Sequence, residues 1–496
     1  VANWLLLKLA RQFGRLNAST WLDGFLLVFP AASDCLMNAS LLNRRSLLRV
    51  GAMALGGLTF TDLLRAEARA GVVGSRKAII NIHLDGGPPH MDMIDPKPLA
   101  PVEIRGEFQP IATSVSGIHI SELMPQVAKA AKQFVFIRSL VGAASAHDAF
   151  QCQSGFDSKS LDTMGGRPAL GCVVNKLQGS PQDVAPPFVD LMQGRPLVRN
   201  SARPGFLGAA YQPFRPDISH LFQRTLEPGM VKELERRGAN HTASLAISEG
   251  LTLHRLSDRT SLLAKLDHTQ RTLDRSGMMH AFDAFQQQAL SMLTSGRFAE
   301  AMNLAAENPQ VLANYTAGEM ASLATDSTSE GANATLKFLL CRRLIQAGVR
   351  CVSVSLSDFD THSDNFPRMR RLVPILDHGL AALVADLEAH DMLRDVMIVV
   401  WGEFGRTPTV NAKSGGRDHW PQVGMCMLAG GPLRTGLVLG STDRTAGSAK
   451  ERPVHYQDVF ATLYHHLGIE TTTALSDPSG RPQHLLDRGQ ILRELL

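Results

Sequence analysis

The chain has 496 residues, 44% hydrophobic and 19% charged, with a formal net charge of +4. That is globular composition with material for a sizeable core, and Lys and Arg spread along the chain exclude an electrostatic case for nucleic acid. The six cysteines are scattered and form no CxxC pair, which excludes a disulfide framework or a structural zinc knot and leaves them as small core residues.

Residues 1–36 hold two apolar stretches, WLLLKLA and FLLVFPAA, neither long enough to span a membrane. From Met37 the pattern changes. Arg44-Arg45 forms a basic region, Val50 to Phe60 a moderately apolar run, and Ala68-Arg69-Ala70 satisfies the small-x-small cleavage rule. This is the form of a twin-arginine export signal over 37–70. Met37 is therefore expected as the natural start and residues 1–36 as a non-native upstream extension. The mature domain is expected over 71–496, in the periplasm or outside the cell and without a transmembrane span.

Short apolar runs predict buried parallel strands at Ala78–Leu84, Phe134–Leu140, Pro187–Met192, Val349–Leu356, Val396–Trp401 and Gly424–Ala429. Helical patterns lie between some of them, at Ser121–Lys132, Thr335–Ala347 (closed by Gly348) and Pro374–His390. A last one, Tyr456–Leu467, ends at Gly468. Strands alternating with helices predict an α/β sandwich of three layers around a mostly parallel central sheet. Residues from about 217 to 334 are polar, helix-patterned and without strand runs, and predict a helical insertion.

Ligands of open α/β sheets bind beyond the carboxyl ends of the strands. The first run delivers Asp85 into a Gly86-Gly87-Pro88-Pro89 corner, where glycine allows a sharp turn and proline fixes the exit. After the second run the loop offers Ser145, His147 and Asp148. The segment SDFDTHSDN offers Asp358, Asp360, His362 and Asp364. WGEFGRTP offers Glu403 and Arg406, and GGRDHWP offers Arg417, Asp418 and His419. Acids gathered at one rim repel unless a cation joins them, and a mixture of Asp, Glu and His suits zinc, manganese or iron. Arg406 or Arg417 would hold anionic oxygens bidentately.

The stretches LDGGPPHMDMIDPKP, GRPALGCVVNKLQG, PGFLGAAYQPF, DTHSDNF, WGEFGRTP and GRDHWP, in that order, make the chain resemble an exported bacterial family. It is known as domain of unknown function 1501 and is grouped with the alkaline phosphatase and sulfatase superfamily. The resemblance implies an alkaline-phosphatase-like fold with one or two divalent metals at the strand ends. By position it implies Asp85, Asp360, His362, Glu403 and His419 as metal ligands, with Asp358 an alternative to Asp360. Spacing in phosphodiesterase-type relatives points to Ser145 as nucleophile and places Asp148 near the transition-state donor position. Two departures stand out: Phe404 occupies the place of a ligand histidine, and the loop around Ser145 lacks a Cys-x-Pro-Ser-Arg motif.

The expected function is thus an exported metal-dependent hydrolase of phosphate or sulfate esters. Ser145 and Arg406 are expected in catalysis, and Arg417 and His147 in binding a small-molecule or glycan ester. The alternative is a non-catalytic protein on the same fold that binds anionic glycans or a cell-surface partner.

Overall fold

The computed structural model describes residues 77–147, 149–161, 165–192, 202–221, 291, 295–316, 330 and 333–496. The expectations for residues 1–36 and 37–70, the Asp148 side chain and most of the 217–334 insertion lie outside them. Ten strands organise the site: β1 Ala78–Leu84, β2 Phe134–Val141, β3 Phe188–Leu191, β4 Cys351–Leu356, β5 Val396–Trp401, β6 Gly405–Arg406, β7 His419–Trp420, β8 Gly424–Gly430, β9 Leu437–Leu439 and β10 Val454–His455. The helices around them are α1 Pro125–Lys129, α2 Gln151–Ser154, α3 Leu170–Gln178, α4 Arg297–Met302, α5 Pro309–Thr316, α6 Leu336–Gln346, α7 Asn365–Ala389 and α8 Tyr456–His466. Among the described residues no helix is long and apolar enough to cross a membrane.

The central sheet runs β9-β2-β8-β5-β1-β4-β3, with β10 also on β2. Its pairings are parallel except those of β8, which is antiparallel to both β2 and β5. The expectation of a parallel strand at Gly424 is corrected here, and the reason lies in the connection. A parallel return needs a crossover to the far end of the sheet. The chain after Trp401 instead stays at the carboxyl rim, folds the short β6–β7 ladder there, and re-enters beside Trp401, with Cys426 opposite it. That detour leaves Glu403, Arg406, Arg417 and His419 at the rim where β1 and β4 end.

Side-chain alternation divides the sheet between two apolar cores. Ile80, Ile82 and Leu84 of β1 join Val352 and Val354 of β4 and Ile398 and Val400 of β5, packed by Val127 of α1, Leu340 and Leu344 of α6, and Leu376, Leu380 and Leu383 of α7. The opposite face carries Ile79, Cys351, Met397, Val399 and Trp401, covered by Val173 of α3 and Val459, Phe460 and Leu463 of α8. On this second face the residues turn polar toward the carboxyl end: Asn81 and His83 on β1, Ser353 and Ser355 on β4, all buried. Part of this strip is internally satisfied. The Trp401 indole donates to Asn81 at 2.8 Å, and Ser353 donates to Gln153 at 2.8 Å. The next residue along β1 on that face is Asp85, at the rim.

Helix α7 starts at Asn365, nine residues before the predicted Pro374, and carries that proline in its interior. A proline interrupts one backbone hydrogen bond of a helix without forbidding continuation. The apolar face built from Met369 to Leu387 is buried along its whole length and holds the helix together.

Candidate metal centre

Three imidazoles and a carboxylate converge at the rim. His147, Asp360, His362 and His419 each offer one ligand atom, and these atoms all lie within 4.8 Å of one another. The ring orientations are fixed from behind. His147 Nδ1–H donates to Glu403 Oε1 at 2.8 Å, His362 Nδ1–H to Asp418 Oδ1 at 2.6 Å, and His419 Nδ1–H to the Ser145 carbonyl at 3.0 Å. A carbonyl oxygen can only accept, so the His419 tautomer is fixed; the two carboxylates impose the same one on the other rings. Each neutral ring then presents a lone pair at Nε2. His362 Nε2 faces His419 Nε2 at 3.1 Å, and Asp360 Oδ1 lies 3.2 Å and 3.6 Å from these two atoms. Acceptors turned toward one another at such distances repel. Zinc ligands at about 2.0 Å in a tetrahedron stand about 3.3 Å apart, so the donor set fits a divalent cation. Histidine ligands held through their far nitrogen by a carboxylate or carbonyl are the usual support of such a centre. The set is partly open to solvent.

Electrostatics agree with this reading. Burial pushes the Asp360 carboxyl up, but hydrogen bonds from His147, His419 and Arg406 outweigh it and hold the group ionised well below the usual range. Burial lowers the His147 imidazole, yet the hydrogen bonds to Asp360 and Glu403 carry it up to about 9. Without an ion, a proton on His147 thus supplies positive charge between two carboxylates.

Directly beneath lies a second group. His83, Asp85 and Glu403 also present ligand atoms within 4.8 Å of one another, and all three are buried. Burial raises the Asp85 carboxyl. Glu403, although equally buried, is held down by the His147 hydrogen bond and by His83, and it also accepts the Gly86 amide at 3.0 Å. The acids and imidazoles of the rim therefore meet as two adjoining groups that touch through His147 and Glu403, and not as one ligand set.

The glycine corner after β1 is explained by close approach. Gly86 and Gly87 both have positive φ, at 110° and 81°. A Cβ on Gly86 would overlap the Asp360 backbone nitrogen, and one on Gly87 the Phe404 ring. Phe404, in the place of a ligand histidine, stacks at 4.3 Å from the His419 ring centroid and 5.2 Å from that of His147, walling the site.

Both arginines face inward, a correction to their expected contact with ester oxygens. Arg406 is fully buried. It donates to Gly87 O at 3.0 Å, to Arg417 O at 2.8 Å, to Gly86 O, and to Asp360 Oδ1 at 2.5 Å. Arg417 is also fully buried. It grips Asp92 bidentately at 2.8 Å and 3.0 Å and donates to the carbonyls of Thr407, Pro408 and Ile104. A buried guanidinium must find acceptors for its five donors, and both side chains find them in the protein itself. Arg406 aims Asp360, while Arg417 and Asp92, with Asn365 donating to Asp92 at 2.8 Å, clamp the segments bearing His362 and His419. Asp358 has φ of 74°, and Asp360 is the member of that segment in the cluster. Ser145 is exposed beside the cluster and lends it a carbonyl.

Sequence reading did not select His83, and His147 was expected on substrate, not among ligands. The signal for His83 was present: in a strand, residues i and i+2 share a face, so a histidine two before Asp85 points the same way. Asp418 was noticed as a residue of the rim but not as the support of His362.

The profile of the family described as "Protein of unknown function (DUF1501)" matches residues 76–496. No curated protein matches the sequence. Among solved structures, the chain is similar to the PsFucS1 sulfatase from Pseudoalteromonas sp., at 11% identity over 82% of this chain and 70% of that one, with a TM-score of 0.36. It is similar to the C-terminal periplasmic domain of EcEptC from Escherichia coli, a complex with Zn, at 8% identity over 80% and 83% and a TM-score of 0.34. It is similar to the phosphonate monoester hydrolase SpPMH from Silicibacter pomeroyi at 11% identity over 85% and 76%, with a TM-score of 0.31. These are distant likenesses.

Proposed function

The chain belongs to the DUF1501 family, and from the arrangement of its rim we propose that it is an exported, metal-dependent hydrolase of phosphate or sulfate esters. Its fold would be an alkaline-phosphatase-like three-layer sandwich. The observation that carries the proposal is the convergence of three histidine Nε2 atoms on Asp360, each ring tied down at Nδ1. His147, Asp360, His362 and His419 would hold the ion, with zinc, manganese or iron the metals this donor set suits. A divalent cation there supplies Lewis acidity that polarises an ester oxygen and acidifies a nucleophile.

The chain's own residues supply the rest. Glu403, Asp418 and the Ser145 carbonyl keep the three rings oriented. Arg406 holds Asp360 ionised and in place. Ser145 is assigned as the nucleophile: its hydroxyl would attack the phosphorus or sulfur, and the leaving alcohol would depart on the opposite side. The ester class, whether on a small molecule or a glycan, comes from the motif resemblance; export comes from the signal-like run at 37–70.

The test is metal analysis of the pure protein together with turnover of 4-nitrophenyl phosphate and 4-nitrophenyl sulfate. The proposal expects bound metal, hydrolysis of at least one ester, loss of both in His362→Ala, and loss of hydrolysis alone in Ser145→Ala. Phe404, packed on His419 and His147 where a ligand histidine would stand, favours a second reading, a binding protein that has lost the chemistry. Retention on a sulfated or phosphorylated glycan, with metal bound and no ester of either kind turned over, would decide for it.

A further inference from the structure

Beneath the open ligand set, the group formed by His83, Asp85 and Glu403 has an unmet requirement of its own. His83 is completely buried, and neither of its ring nitrogens has a hydrogen-bond partner; Asp85 Oδ2 is likewise buried and unpartnered. A buried imidazole that loses its water without gaining a partner costs the full desolvation of its polar atoms, about 1–3 kcal/mol. Two buried carboxylates beside it add their mutual repulsion.

The distances say what would satisfy them. His83 Nε2 lies 3.5 Å from Glu403 Oε2 and 3.7 Å from Asp85 Oδ1. These separations are too long for a good hydrogen bond. They are close to the spacing of atoms that share a metal ion at about 2.0–2.2 Å from each. One imidazole and two carboxylates are nitrogen and oxygen donors, and a divalent charge balances the two acids.

We propose that His83, Asp85 and Glu403 bind a second divalent cation, closed off from solvent and distinct from the ion of the open set. Glu403 serves both positions. Its Oε2 faces His83 while its Oε1 takes the His147 Nδ1–H, so the closed ion fixes the carboxylate that orients an open-site ligand. Asp85 and His83 are held by β1, and the Gly86 amide on Glu403 ties the same corner to the rim. The inference deepens the hydrolase reading and rests on it for the open ion, although the closed ion is tested separately.

The experiment loads the full chain with zinc, removes excess metal on a desalting column, and measures zinc per chain by mass spectrometry. Release to an excess of a coloured chelator is then followed over time. Wild type is expected to hold two equivalents, one released rapidly from the exposed set and one slowly from the buried one. His83→Gln and Asp85→Asn should each hold one, in the rapid class; His362→Ala should hold one, in the slow class. The inference is overturned if wild type holds a single equivalent that His362→Ala loses and His83→Gln keeps, a result that leaves the hydrolase reading standing. No bound zinc at all would remove both. Should His83→Gln fail to fold, the wild-type time course decides: two kinetic classes support the closed ion and one class refutes it.

Discussion

Asp418 touches no substrate in this account, yet it is the residue on which His362 depends. Its carboxylate fixes the ring through Nδ1 at 2.6 Å. Asp418→Asn keeps the shape and removes the charge. Support of this kind typically contributes 10–100-fold in metal affinity, so competition with a chelator should show binding weakened by about that factor. Arg417→Met makes a different prediction. It leaves Asp92 buried and unpaired, and breaking one side of a buried ion pair costs about 3–5 kcal/mol, to be read as a lowered urea midpoint. These two residues also show where single-residue reading stops. That acids and histidines would gather at the rim was legible, because each follows a buried strand. Whether an arginine points outward to a ligand or inward to carbonyls was not. Composition and spacing are the same in both cases, and the three-dimensional placement of Asp92, Gly86 and Thr407 settles it.

At the scale of elements, the corner after β1 is the part of the fold least tolerant of change. Gly86 holds a φ of 110° while pressed against the Asp360 backbone. Gly86→Ala would store about 1–3 kcal/mol of backbone strain before the overlap is counted. Because the displaced atom belongs to Asp360, metal affinity should fall together with thermal stability; a variant that lost stability alone would contradict the close-approach explanation. The strands themselves were legible, since runs buried on both faces read as continuous apolar stretches. The direction of β8 was not, because an apolar run carries no sign. It was decided by the chain between Trp401 and Gly424, which stays at the rim. The start of α7 was missed for a local reason, a proline inside the helix that resembles one at its beginning.

Across the whole molecule, the amino-terminal edge of the sheet makes a pH prediction independent of the metal. His466 on α8 is buried, and its Nε2–H lies within reach of the Ala78 and Asp395 carbonyls at 3.2 Å and 3.1 Å. Burial lowers its pKa from 6.5 to about 4, more than those carbonyls restore. The unfolded chain therefore binds the proton first. The contribution of His466 is complete above about 6.5 and is lost as pH falls through about 4. His466→Gln should flatten the decline of melting temperature over that interval; an unchanged slope would contradict it. The central claim concerns the other edge, where chain segments from 83 to 419 meet. The most direct measurement is anomalous scattering at the zinc edge from zinc-soaked crystals. The account predicts a peak within bonding distance of His147, His362 and His419 Nε2 and an Asp360 oxygen. Ordered side chains there without a peak, or a peak that touches none of them, would contradict it.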